Sequence, residues 1–151
     1  VIARIHLDSR AATMPCLPAQ TYTPGEVTGW ISEVVLRTCR TTVAVRRREV
    51  VGYAALDGDV LEHLYVRADV LRQGIGTLLL DEIKTLSSER VSLRVFAQNT
   101  EARAFYERHG FAVVRASDGS DNMERLPDLT LHWIPVRENR SGKPLLPENG
   151  A

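Results

Sequence analysis

The chain has few of the features that mark specialised protein classes. It has two cysteines, Cys16 and Cys39, in 151 residues and no C-x-x-C pair. So few thiols in a chain this long point to a reducing compartment, and the cytoplasm is expected. Both read as small core residues. No apolar run is long enough to cross a bilayer, so no membrane partner is expected. The opening Val1-Ile2-Ala3-Arg4-Ile5-His6 lacks the basic start and apolar stretch of a signal peptide. Neither sign of charge is in excess, since 19 basic residues meet 19 acidic ones. That balance argues against a nucleic-acid partner held by bulk charge, and none is expected. His6, His109 and His132 are scattered, with no pair at ligand spacing, so no metal is expected. An initial methionine is also missing. Val1, Ile2, Ile5 and Ala11-Ala12 look like one face of a helix, and an element upstream of it is expected to be absent.

What is present centres on Leu64 to Phe111. The apolar run Leu61–Val66 ends in a polar loop, the loop closes on Arg72-Gln73-Gly74-Ile75-Gly76, and a helical pattern starts at once. Glycines between a strand and a helix let backbone approach a ligand, while the unpaired N–H groups of the first turn point at it. A pyrophosphate is the natural guest. Two rival nucleotide sites fail on specific residues. The dinucleotide fingerprint needs a third glycine where Leu79 stands, and an acid about 20 residues on, where the next strand ends in Ala97-Gln98-Asn99. A P-loop needs Gly-Lys-Ser/Thr, which does not follow.

Residues 1–14 read as a helix stopped near Pro15 and Pro18. Thr23-Pro24-Gly25-Glu26 is a capping box with proline at the first helical position. Val27, Trp30, Ile31, Val34 and Val35 then form one apolar stripe. Thr41–Val45 and Val50–Leu56 read as a hairpin around Arg46-Arg47-Arg48-Glu49. That arginine run reads as a phosphate patch or as a solvated hairpin tip, and the tip is favoured. Asp57-Gly58-Asp59 turns the chain into a third strand, Val60–Val66. A helix over Ile75–Leu86 leads to the strand Val91–Phe96, parallel to Val60–Val66 through a right-handed crossover. Thr100–His109 is a short helix closed by Gly110, followed by strands at Phe111–Arg115 and Leu129–Ile134. The predicted class is α/β of the mixed α+β kind. Its sheet is mostly antiparallel, with a central βαβ unit and helices on both faces. One domain is expected over 1–136, and the tail 137–151 is expected to be flexible.

In this order, these residues resemble the GNAT superfamily of N-acetyltransferases, which use acetyl-CoA. The family's first motif, Arg/Gln-x-x-Gly-x-Gly/Ala, corresponds to Leu71-Arg72-Gln73-Gly74-Ile75-Gly76. Its second corresponds to Asn99, Ala102, Phe105-Tyr106 and Gly110-Phe111, with every member present. The similarity covers roughly residues 1–135. Leu71 departs from the family's usual Arg or Gln, and its neighbours Arg72 and Gln73 are expected to supply polar side chains. Family members also usually open with a strand before the first helix, which this chain does not show.

The resemblance implies a site. Coenzyme A would be held by Leu64, Tyr65, Val66, Leu71, Arg72, Gln73, Gly74, Ile75, Gly76, Thr77, Asn99, Ala102 and Tyr106. The strands Leu61–Val66 and Val91–Phe96 would splay to admit the pantetheine arm. A backbone N–H of Tyr65 or Val66 would polarise the thioester carbonyl. Tyr106 would be the general acid toward the sulfur, a role that suits a phenol. Asn99 is a helix cap or a coenzyme ligand. Glu62 is ranked first as base, acting through water on the acceptor amine. Its neighbour His63 has the better intrinsic pKa but faces the other side of the sheet and reads as a satisfied sheet residue.

The implied activity is acetyl transfer from acetyl-CoA to a primary amine of a small molecule or protein, by direct attack in a ternary complex. The alternative is a coenzyme-binding module without turnover, which would need neither Tyr106 nor Glu62. Monomer and homodimer both remain open. The acids Asp118, Asp121, Glu124 and Asp128 in the loop Ser117–Asp128 are expected to attract a cationic acceptor.

Overall fold

The computed structural model describes residues 1–13, 23–87, 89–122 and 124–135. The tail from residue 137, Cys16, Pro15 and Pro18 lie outside the described residues. The helices are α1 (Ile2–Thr13), α2 (Pro24–Trp30), α3 (Leu36–Thr38), α4 (Ile75–Leu86) and α5 (Thr100–Arg108). A π-helical turn, Ile31–Val35, joins α2 to α3. The strands are β1 (Arg40–Arg46), β2 (Glu49–Asp57), β3 (Val60–Val66), β4 (Val91–Phe96), β5 (Ala112–Ser117) and β6 (Asp128–Trp133). They form one sheet in the order β1-β2-β3-β4-β6-β5. Every neighbouring pair is antiparallel except β3 and β4, which the helical crossover makes parallel. The last strand inserts beside β4 and leaves β5 at the edge.

Local chemistry explains the boundaries. Thr23 accepts from the Glu26 amide and Glu26 reaches back to the Thr23 amide, so the capping box starts α2. Arg47 and Arg48 both adopt positive φ, 51° and 65°, at the tip of the β1–β2 hairpin. A two-residue loop of that hand matches the twist of the flanking strands. At the end of α5 the Phe111 amide bonds the Tyr106 carbonyl at 3.0 Å and the Gly110 amide bonds that of Glu107 at 3.2 Å. These bonds satisfy the last helical carbonyls and turn the chain into β5.

Successive strand residues face opposite sides, and two cores result. On one side Leu79, Leu80 and Ile83 of α4 bury against Ala54, Leu56, Leu93 and Leu131. On the other, Ala3 of α1 and Val27, Ile31 and Val35 bury against Ala55. Cys39, a free thiol, packs at the margin of this second core. Ala54 and Ala55 thus separate the layers, with helices on both faces of the sheet. No helix among the described residues is long and apolar enough to cross a membrane.

Candidate functional site

The parallel pair is the irregular place in the sheet. β3 meets β4 only at Val60 and Ser92, where the Ser92 amide bonds the Asp59 carbonyl at 2.8 Å. Beyond that point the two strands separate. β4 stays fully paired with β6, from Val91 opposite Trp133 to Phe96 opposite Asp128. β3 stays paired with β2. The gap opens into a cleft of about 1020 Å³, bordered by Glu62, Leu64, Tyr65 and Val66 on one side and Leu93 to Phe96 on the other.

One end of the cleft is the glycine loop. Gly74 is the N-cap of α4 at φ 82°, with no side-chain cap. The first helical bond runs from the Leu78 amide to the Gly74 carbonyl. The amides of Ile75, Gly76 and Thr77 therefore have no acceptor within the helix. With the positive end of the helix dipole they make an anion site on the cleft wall. Gly76 is needed for a different reason, because a Cβ there would come within 3.3 Å of the Phe105 ring. Leu71, Arg72, Gly74, Ile75, Gly76 and Thr77 all border the cleft. Gln73 does not. Its side chain accepts from Arg46 at the hairpin tip, so only its backbone is near the loop's working side. Arg72 pairs with Glu101 at 3.5 Å, but both are well exposed and the pair contributes little.

The helix α5 closes the opposite wall. Asn99 accepts from the Ala102 amide at 3.3 Å and also borders the cleft, so capping and lining coexist. Ala102 and Tyr106 face inward from the same helix. Tyr106 packs between Phe105 and Phe111, with ring centroids at 5.3 and 5.4 Å. Burial, and secondarily Tyr65, raise its pKa, so the phenol keeps its proton at neutral pH. His109 joins the walls. Its Nδ1 meets the Phe105 carbonyl at 2.7 Å and its Nε2 meets the Thr77 hydroxyl at 3.1 Å. A carbonyl only accepts, so Nδ1 carries a proton.

Glu62 owes its position to a β-bulge. Ala55 pairs with His63 and Leu56 with Leu61, which leaves Glu62 as the extra residue in β3. A bulge leaves one residue unpaired, bends the strand and re-aims its side chain. Glu62 borders the cleft. Its pKa is raised by partial burial and then by Asp57, with Arg94 opposing.

The bulge overturns the expectation that alternation sets His63 on the face opposite Glu62. His63 is buried, and its Nδ1 lies 3.0 Å from the Tyr53 hydroxyl, which also meets the Nδ1 of His6 at 3.2 Å. Burial, and then His6, push the His63 pKa down to about 4. The fold therefore favours the neutral ring. That stability is complete above the unfolded value near 6.5 and is lost as pH falls toward 4. Urea unfolding should show stability falling by about 2 kcal/mol between pH 6.5 and 5 from this group. His63→Gln should flatten that slope. An unchanged slope would mean that the ring titrates freely.

The loop acids differ in their placement. Asp118 accepts from the Ser120 amide at 2.9 Å, and Asp121 takes the Ser117 hydroxyl at 3.1 Å and Arg94 at 3.3 Å. Hydrogen bonding holds both carboxyls below their ordinary range, led by Ser120 for Asp118 and by Ser117 for Asp121. Asp128 borders the cleft with Asn122, and Asp118, Asp121 and Glu124 do not. Cleft residues without a motif signal include Ser9, whose hydroxyl donates to the Val66 carbonyl at 2.7 Å from 57 positions away. Among the described residues no group of three or more His, Cys, Asp or Glu could hold a metal ion.

A split parallel pair with a glycine-capped helix at its mouth is the arrangement that the resemblance to the acetyltransferases implies. Residues 37–113 match the family described as the acetyltransferase (GNAT) domain, and the chain belongs to that family. It is 36% identical over 83 residues to the peptidyl-lysine N-acetyltransferase YjaB of Salmonella typhimurium, a match covering 55% of this chain and 57% of that protein. It is 38% identical over 65 residues to the 5-NmdU N-acetyltransferase of Pseudomonas phage PaMx11, covering 42% of this chain and 46% of that protein. The solution structure of apo YjaB from Escherichia coli superposes with a TM-score of 0.72 at 27% identity, over 89% of this chain and 90% of that one.

Proposed function

We propose that this chain, taken as one acetyltransferase domain over 1–136, is a cytoplasmic enzyme that transfers acetyl from acetyl-CoA to a primary amine. The observation that carries the reading is the separation of β3 from β4 beyond Val60, with the unpaired amides of Ile75, Gly76 and Thr77 at its mouth. A protein lysine is the favoured acceptor, because YjaB, at 36% identity, is a peptidyl-lysine N-acetyltransferase.

The coenzyme would supply an activated thioester. The α4 amides would hold its pyrophosphate, and Leu64 to Val66 would line its arm. The amide of Tyr65 or Val66 would donate to the thioester oxygen as negative charge grows there. Tyr106 would give its proton to the departing sulfur. Glu62 would take a proton from the acceptor ammonium through water, and its raised pKa makes it a better base than a free carboxylate. A binding module would need neither group, and both border the cleft.

The test is amine-dependent release of free thiol from acetyl-CoA, with lysine peptides as the first acceptors. Glu62→Gln should remove the acidic limb of the kcat/KM profile. If His63→Gln removes that limb and Glu62→Gln leaves it, the base is His63. Absence of thiol release with every amine would contradict the enzyme reading.

A further inference from the structure

His109 is the C-cap of α5, and it ties that helix to both ends of α4. Its amide donates to the Tyr106 carbonyl at 3.0 Å. Its carbonyl accepts from the Nζ of Lys84, in the last turn of α4, at 2.6 Å. Its Nδ1 donates to the Phe105 carbonyl at 2.7 Å, and its ring lies against that of Phe105 with centroids 4.5 Å apart. The remaining contact is between Nε2 and the Thr77 hydroxyl, at 3.1 Å. Thr77 stands in the first turn of α4, where its amide has no acceptor within the helix. Thr77 and His109 both border the cleft. The hydroxyl therefore lies beside the anion site of the α4 amides, and the direction of its proton decides what it offers there.

Two arrangements satisfy this contact. With a proton already on Nδ1, an uncharged ring can only accept at Nε2. The Thr77 proton then points at the ring, and its oxygen turns lone pairs toward the cleft, where a phosphate oxygen would be repelled. A second proton, on Nε2, reverses the bond. The ring donates to the Thr77 oxygen, and the Thr77 O–H is free to donate to an anion. The charged groups around the ring act in both directions. The C-terminal end of α5 favours a cation at its cap. Lys84 of α4 is a like charge, with Asp81 of the same helix opposing it. Glu107 and Arg108 of α5 are exposed and carry opposite signs. β6 contributes Trp133, an uncharged ring beneath Lys84. All of these are present whether the cleft is empty or filled, whereas a bound pyrophosphate favours the second arrangement alone.

We propose that His109 is a positioning residue for the coenzyme: its ring takes up a proton on Nε2 when a pyrophosphate binds, and so turns the Thr77 hydroxyl toward the anion. The proton comes from solvent, and no bond between heavy atoms is made or broken. The inference rests on the coenzyme reading of the cleft and deepens it, because it couples coenzyme affinity to pH through a residue that acts by way of Thr77.

The experiment is calorimetry with dephospho-coenzyme A, and it needs no turnover. This ligand keeps the pyrophosphate and lacks the ribose phosphate monoester, whose own titration near neutrality would add to the count. Repeating the titration at neutral pH in buffers of different ionisation enthalpy gives the number of protons taken up. About half a proton per ligand is expected. The charged ring favours the complex, so affinity should fall as pH rises, by about threefold or more between about pH 6 and pH 8. Thr77→Val keeps the shape and deletes the hydroxyl, and it should abolish both the uptake and the slope. Thr77→Ser should keep both. His109→Gln supplies an amide N–H that donates without titrating, so it should bind with no slope, near the affinity of the parent chain in acid. Binding without proton uptake, or uptake that persists in Thr77→Val and His109→Gln, would overturn the proposal and leave the coenzyme site in place. No binding would remove the coenzyme reading and the proposal with it. Proton-linked binding without amine-dependent thiol release would uphold the role of His109 and remove the transfer reading.

Discussion

Gly74→Asp is expected to lose at least about 100-fold in coenzyme A affinity while the fold is kept. Position 74 is the N-cap of α4, at φ 82°, and a Cβ built there meets nothing within 4 Å. Aspartate tolerates the left-handed region better than most residues. Its charge would complement the helix dipole. A side chain at that positive φ is strained, so stability should fall by about 1–2 kcal/mol with the fold kept. The same carboxylate would occupy the amides that a pyrophosphate needs and repel its charge. Gly74→Asn keeps the shape and removes the charge, so the difference between the two variants isolates electrostatics. Calorimetry with coenzyme A reads both. The neighbouring glycine is a poorer probe, because any side chain at Gly76 presses on Phe105 and would mix packing with binding.

Tyr106→Phe is the second large effect. The substitution keeps the ring between Phe105 and Phe111 and deletes only the hydroxyl. Burial raises the pKa of that phenol, so it is a proton donor across the working range. If the departing sulfur takes its proton from Tyr106, kcat should fall by about 10²-fold or more. Coenzyme A affinity should change little, since the pyrophosphate end of the cleft is untouched. Presteady-state thiol release separates the two steps. A fall in affinity with kcat intact would make Tyr106 a wall of the cleft and leave the acid elsewhere.

Most of the scaffold was legible because its signals are local. The capping box at Thr23 and Glu26, the alternation of Val60–Val66 and the stripe of α4 each declare an element within a few residues. The glycine loop was legible for the same reason, since its anion site is built from consecutive amides. Longer-range pairings left weaker traces. Nothing near Gln73 shows that Arg46 would hold its side chain away from the cleft. Nothing near Ser9 announces its bond to Val66. Strand alternation would set Glu62 and His63 on opposite faces, and the bulge that breaks it is visible only against the register of β2. The placement of the loop acids was equally hidden, since the amide, hydroxyl and arginine partners of Asp118 and Asp121 are seen only in the fold.

The central claim is that the gap between β3 and β4 is the coenzyme site. A titration of the ¹⁵N-labelled protein with coenzyme A, followed amide by amide, tests it most directly. The account predicts the largest shifts at Ile75, Gly76 and Thr77, at Tyr65 and Val66, and at Asn99 and Tyr106, with β1 and β5 unmoved. Shifts confined to the arginine hairpin tip or to the loop after Ser117, with the α4 amides silent, would contradict it.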